Sequence, residues 1–317
     1  MTVGPEVMAI GETMLLAVPP RPDRLRHSPS VLLKIGGAES NVAIGLARLG
    51  ISSAWAGLLG DDEPGQLVLD RIRAEGVDTA AVRRVPGRPT GLYLREEVAG
   101  QVRVYYYRQG SAASTMTPGS VDLGCLDGAT YLHLTGVTPA LSPECAEFVG
   151  WAAKEARRRG VRVSFDVNYR ARLWDPVAAR TQIERVLEHV DLLFVSAEEA
   201  DALWGWADEQ TGMAERAAAG PDEVVLKRGA LGSTSWINGE RTDAAPFVVR
   251  EVDPIGAGDA FAAGYLASSL RGGTPLDRLR TANGMGALCV STLGDYEGLP
   301  SARELADFLD NKTTLGR

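Results

Sequence analysis

The chain is poor in the residues that build disulfides and metal centres. Its 317 residues include three cysteines and three histidines. Cys125, Cys145 and Cys289 are far apart and odd in number. That excludes a disulfide framework and predicts small core residues in a reducing compartment. His27, His133 and His189 are equally scattered, so no zinc-ligand spacing is present. No apolar run is long enough to span a bilayer. Residues 1–5 lack a basic stretch followed by an apolar one, so no signal peptide is expected and the cytoplasm is the expected location. Basic residues are outnumbered, 33 against 41 acidic, for a formal charge of −8. Neither nucleic acid nor an anionic membrane is therefore an expected partner. Several catalytic signatures are missing too. There is no Gly-x4-Gly-Lys-Ser/Thr loop, no Gly-x-Gly-x-x-Gly after a strand, no Gly-x-Ser-x-Gly elbow and no protein-kinase catalytic loop.

What is present is an ordinary globular composition, 45% hydrophobic and 23% charged, with ample apolar residues for a core. Strand and helix patterns alternate. Strands are expected at 7–10, 53–59, 131–134, 161–167, 192–195 and 224–227, with a strand-like run at 247–252. Helices are expected at 38–49, 64–75, 143–159, 176–188, 198–203, 259–270 and 276–291, the 259–270 pattern reading as amphipathic and several stopped by glycines such as Gly50, Gly76 and Gly160. Such alternation predicts βαβ units and a mainly parallel α/β sheet, with ligands beyond the carboxyl ends of the strands. One region breaks the rhythm. Residues 90–97 and 101–108 alternate around the turn Val98-Ala99-Gly100 and carry Tyr93, Tyr105, Tyr106 and Tyr107. With segments near 14–18 and 31–35 they predict a small accessory sheet, placed to exclude water from a site. The tail at 311–317 is polar and expected to fray.

The most informative stretch is Asp253-Pro254-Ile255-Gly256-Ala257-Gly258-Asp259-Ala260-Phe261. Glycines let the backbone approach a ligand closely. Amides that open a helix point outward, unpaired, at the positive end of its dipole, and suit a phosphate. A carboxylate at the same point repels an anion, so Asp259 makes sense as a base taking a proton from a hydroxyl that attacks phosphorus. Alone, a Gly-x-Gly-Asp is more often a plain helix start. Other constellations change the balance. Gly36-Gly37-Ala38-Glu39-Ser40-Asn41 offers backbone amides and a side-chain amide that both donates and accepts, as polyol recognition requires. Tyr106-Tyr107-Arg108 and Asp166-Val167-Asn168-Tyr169-Arg170 each set an arginine beside pocket-forming residues. A guanidinium matches a carboxylate or phosphate, and a neutral sugar would not need it. Lys227-Arg228-Gly229-Ala230-Leu231-Gly232 runs from a buried strand into a glycine-bearing turn suited to a nucleotide.

Together these motifs resemble the ribokinase/PfkB carbohydrate kinases over nearly the whole chain, and within them the 2-keto-3-deoxygluconate kinases. Gly36-Gly37…Asn41 looks like the first family signature and residues 253–261 like the second. The resemblance implies a three-layer αβα sandwich with a mainly parallel central sheet, one domain over 1–317, and a β lid from about 12–36 and 90–109. It implies ATP-dependent phosphorylation of the terminal hydroxyl of the sugar acid, with fructokinase, ribokinase or another ketose kinase as the alternative. Asp259 would be the base, and the amides of Gly256, Ala257 and Gly258 the anion hole. Gly36, Gly37, Asn41, Tyr93, Tyr106, Arg108, Arg170 and Asp295 would contact the sugar acid. Asn168, Arg170, Ser196, Lys227, Gly229, Gly232, Gly256 and Gly258 would hold ATP. Mg²⁺ would ride on the phosphates, its water shell oriented by Glu199. Two departures stand out. Ile255 replaces a Thr that in many members helps build a monovalent-cation site, so potassium activation is in question. Ser196-Ala197-Glu198-Glu199 replaces Asn-x-x-Glu, keeping the glutamate. A homo-oligomer is expected, since an accessory sheet has an edge that can pair with a neighbour.

Overall fold

A computed structural model describes residues 4–310. Residues 1–3 and 311–317, the tail expected to fray, lie outside the described residues. In chain order the strands are β1 (Val7–Ile10), β2 (Met14–Val18), β3 (Leu32–Gly36), β4 (Ser53–Ala56), β5 (Leu58–Gly60), β6 (Arg83–Val85), β7 (Leu92–Val98), β8 (Gln101–Tyr107), β9 (Tyr131–Thr135), β10 (Arg162–Asp166), β11 (Leu192–Ser196), β12 (Glu223–Lys227), β13 (Ser233–Ile237) and β14 (Glu240–Ala244). The α-helices are α1 (Ala38–Arg48), α2 (Glu63–Ala74), α3 (Pro143–Arg158), α4 (Pro176–Leu187), α5 (Ala197–Trp204), α6 (Glu209–Ala218), α7 (Ala257–Leu270), α8 (Pro275–Val290) and α9 (Ala302–Leu309). None among the described residues is long and apolar enough to cross a membrane.

Among the described residues the main sheet has the order β14-β13-β12-β11-β10-β9-β1-β4. It is parallel from β4 to β12, and β13 and β14 complete it antiparallel. Its inner strands are buried on both faces, in keeping with their mostly apolar residues. Alternate residues enter different cores. Met8 and Ile10 pack with Phe148 of α3, Ile183 of α4 and Met213 of α6. Val7 and Ala9 pack with Ile44 of α1, Tyr265 of α7 and Met285 of α8. The result is a three-layer αβα arrangement. Helix starts follow the side chains present. Ser142 caps α3 and Asp175 caps α4, and Ser196 with Glu199 forms a capping box on α5. From β1 the chain crosses outward to β4, whereas β9 to β12 run the other way. A crevice therefore opens where β1 and β9 part, at their carboxyl ends.

The second sheet has the order β3-β2-β7-β8, built from the four segments whose patterns pointed to it. Some expectations are corrected. Residues 247–252 form no strand and run as irregular chain. Their apolar residues are not sheet-bound, since Val248 and Val252 are exposed. The 53–59 strand is two strands, β4 and β5, broken at Gly57. Cys145 and Cys289 are core residues, but Cys125 is half-buried beside the half-exposed turn before β9. Helix α7 is not amphipathic. Residues Asp259 to Ser268 are buried all round because α1 and α8 cover it on both sides.

Candidate active site

The carboxyl ends of the central strands bring distant side chains together. Asp259 stands in the first turn of α7, buried, facing the ends of β10 and α1. Asn41 Nδ2 donates to its Oδ2 at 2.8 Å, and Asn168 Nδ2 lies 3.4 Å from its Oδ1. Asn168 holds a left-handed backbone (φ 39°) to do so. Burial pushes the Asp259 carboxyl up to about 7. The Asn41 hydrogen bond opposes that rise, the Asp166 charge adds to it, and the Arg170 and Lys227 charges oppose it. A carboxyl poised there is half-ionised near neutrality, which suits a general base. His133, on β9, is no rival. It is buried against Ser164, and burial pushes its pKa down to about 4.

Two cavities meet at the start of α7. The first, about 430 Å³, is walled by Gly36, Gly37, Asn41, Tyr93, Tyr106, Arg108, Arg170, Gly256, Asp259 and Asp295, together with Glu12 and Arg172. The second, about 360 Å³, is walled by Lys227, Gly229, Gly232, Phe247, Ala257, Gly258, Phe261 and Asn283. Gly256, with φ 80°, turns the chain between them. A Cβ there would overlap the Asp295 carbonyl, so the position admits glycine alone. Of the residues expected on the nucleotide side, Lys227, Gly229, Gly232 and Gly258 line the second cavity. Arg170 and Gly256 line the first, Asn168 sits against Asp259, and Ser196 caps α5.

The first cavity mixes acids, arginines and aromatic rings. Tyr93 and Tyr106 stack with centroids 5.7 Å apart, and the Arg108 guanidinium lies over the Tyr106 ring. Tyr93 Oη donates to Asp295 Oδ2 at 2.8 Å. Burial pushes the Asp295 carboxyl up to about 7, against the pull of that hydrogen bond. Arg170 is exposed and reaches the cavity from the loop after β10. Arg108 is different. It is ion-paired with Glu12, a buried residue that also accepts from Ser111 Oγ at 2.9 Å. Glu12 was not anticipated. Its signal was position, two residues beyond the first strand of a parallel sheet. Asn41 Oδ1, Asp295 Oδ1 and Thr13 Oγ1 are buried without a protein partner. Orphaned polar atoms around a cavity suit a hydroxyl-rich ligand.

Behind Asp259 lies a charged cluster. Lys227 Nζ donates to both oxygens of Asp166 at 2.7 Å. Glu199 accepts the backbone amides of Tyr169 and Ser196, each at 2.8 Å, so it also fixes the loop that carries Arg170. Burial raises the Glu199 pKa, against the Lys227 charge. Glu39 is fully buried and accepts Thr135 Oγ1 and Thr138 Oγ1 at 2.7 and 2.9 Å. It pins the start of α1, and so Asn41, to the end of β9. Burial pushes its carboxyl up to about 7.

The sequence profile described as pfkB family carbohydrate kinase matches residues 5–302. The chain is 36% identical to a 2-dehydro-3-deoxygluconokinase of Bacillus subtilis (strain 168), over 91% of this chain and 91% of that one. It is 35% identical to a 2-dehydro-3-deoxygluconokinase of Thermoproteus tenax, over 96% and 94%. A protein of E. coli described as a ribokinase II, solved in complex with ATP and Mg²⁺, superposes with a TM-score of 0.89 at 26% identity, over 97% of this chain and 99% of that one. The chain thus belongs to the pfkB family of carbohydrate kinases.

Proposed function

We propose that this kinase transfers the γ-phosphoryl group of ATP to the terminal hydroxyl of 2-dehydro-3-deoxy-D-gluconate. The observation that carries the reading is Asp259, buried at the junction of two cavities. One cavity holds arginines and the other is mostly apolar and lies along the opening of α7. The sugar acid occupies the first cavity, with Arg170 and Arg108 toward its carboxylate side. Asn41, Asp295 and the amides of Gly36 and Gly37 read its hydroxyls. The nucleotide occupies the second cavity against Gly229, Gly232 and Phe261, its terminal phosphate reaching the amides of Gly256, Ala257 and Gly258.

Asp259 accepts the proton of the attacking hydroxyl as that oxygen bonds to the γ-phosphorus. The bond from the γ-phosphorus to the bridging oxygen breaks, and ADP leaves with the electron pair. The α7 amides stabilise the charge on the transferring group. Asn41 keeps the Asp259 lone pair aimed at the hydroxyl. Among the described residues no group of three or more His, Cys, Asp or Glu is arranged to hold a metal. Magnesium would therefore come with the nucleotide, held by phosphates and water with Asp166 and Glu199 behind it, and would neutralise phosphate charge. The sheet of β3, β2, β7 and β8 is the lid that keeps water from the phosphoryl group. The reaction is cytoplasmic. A second copy of the chain covers the β8 edge of the lid, where Tyr105 and Tyr107 are exposed.

The decisive experiment is a coupled ADP-release assay over sugar acids and neutral ketoses. Turnover on 2-dehydro-3-deoxygluconate should exceed that on fructose and ribose by roughly 100-fold in kcat/KM. Brisk turnover of a neutral ketose with none of the acid would replace this reading by the ketose-kinase one.

A further inference from the structure

Two side chains of β7, two residues apart and on one face, each hold a carboxylate beside the loop that opens α7. Tyr93 holds Asp295, as above. Arg95 Nη1 donates to Asp253 Oδ2 at 2.7 Å, with side chains 3% and 0% exposed. Asp253 is also bound by the backbone on both sides. Its Oδ2 accepts Gly294 N at 3.0 Å and its Oδ1 accepts Ile255 N at 3.2 Å. One buried carboxylate thus ties the 253–256 loop to the turn at 294–295, and Gly256 lies directly on the Asp295 carbonyl. The place of the α7 amides depends on that carboxylate, and a carboxylate so buried requires a positive partner.

The departure at Ile255 puts a monovalent cation in question, and the side chains around the loop bear on it. Ile255 offers no side-chain oxygen, and the Asp253 oxygens already receive three donors. We propose that Arg95 is a tethered cation that positions the anion-hole loop, so that this kinase needs no added monovalent ion. A guanidinium keeps its charge at any working pH and cannot diffuse away. Because Arg95 belongs to the lid, docking of β7 and completion of the loop are one event. Arg95 touches no substrate and is a positioning residue. The inference rests on the phosphoryl-transfer reading of the α7 amides.

The test begins with the unaltered enzyme in potassium, sodium or tetramethylammonium chloride at equal ionic strength. Both kcat and the thermal midpoint should be insensitive to the choice, kcat within about twofold. Arg95→Ala should lower kcat by about 100-fold with the sugar KM little changed, while Arg95→Lys should keep kcat within about tenfold of the parent. Stimulation of the parent by potassium of about tenfold or more, or a potassium-specific rise in its thermal midpoint, overturns the proposal. So does an Arg95→Ala enzyme of normal kcat. The thermal comparison needs no substrate, so it separates failure of this inference from failure of the substrate assignment, which a silent sugar-acid assay alone would signal.

Discussion

At the residue scale, Asp259 governs the pH dependence. Its carboxyl must be ionised to take a proton, and its pKa is raised to about 7 by burial. In the free enzyme kcat/KM should therefore climb as pH passes about 7 and level off above it. Asp295, also raised to about 7 and sensing the Asp259 charge, shares that limb, so the inflection belongs to the pair. Asp259→Asn should cost roughly a thousandfold or more in kcat, with an unchanged circular dichroism spectrum. Near-normal turnover would end its assignment as base. Arg170 bears on both recognition and titration, because its charge opposes protonation of Asp259. Arg170→Ala should lower kcat/KM for the sugar acid by about 100-fold and for a neutral ketose by far less. The same variant should move the acid limb to higher pH. An unmoved limb would show that Arg170 lies too far from Asp259 to act on it.

At the scale of elements, the starts of the expected helices were the easiest features to read and the burial of their faces the hardest, while α6 and α9 were not anticipated. Ser142-Pro143 and Asp175-Pro176 announce α3 and α4, because a capping side chain and a proline at the first turn act locally. The run at 247–252 carried a strand-like pattern and forms none, because pairing needs a neighbouring edge and β14 at 240–244 takes the end of the sheet. Helix α7 looked amphipathic but is buried all round, since its second neighbour, α8, follows it in the chain and folds back on it. Its opening residue carries a sharp prediction. Gly256→Ala meets both a left-handed backbone and the Asp295 carbonyl. It should lower the thermal midpoint and cut kcat by about 100-fold or more. Helix α1 makes a second one through Glu39. Its folded pKa is raised from the usual 4.5 to about 7. The native state therefore holds that proton more tightly, and the stability this gives is present below 4.5 and lost as pH rises through about 7. Glu39→Gln has no such loss, on the order of 3 kcal/mol by pH 8. Its thermal midpoint should rise relative to the parent between pH 5 and pH 8. A constant difference would mean that Glu39 does not titrate there.

At the scale of the whole molecule, the lid couples to the centre through Tyr93 and Arg95, while its far side stays exposed. If a second copy covers β8, light scattering should give twice the 33.7 kDa of one chain. Tyr105→Lys with Tyr107→Lys should then give monomers, and a monomeric parent would leave the lid edge bare. The sequence by itself determined the α/β alternation, the accessory sheet and the two glycine motifs, because helix caps, periodicity and glycine-dependent turns are written in neighbouring residues. Only the tertiary structure decided the partners. Arg108 on Glu12, Arg95 on Asp253, and Asn41 and Asn168 on Asp259 join residues dozens to hundreds of positions apart. Burial, which sets the charge of Asp259, Asp295 and Glu39, likewise exists only once the layers have closed over them.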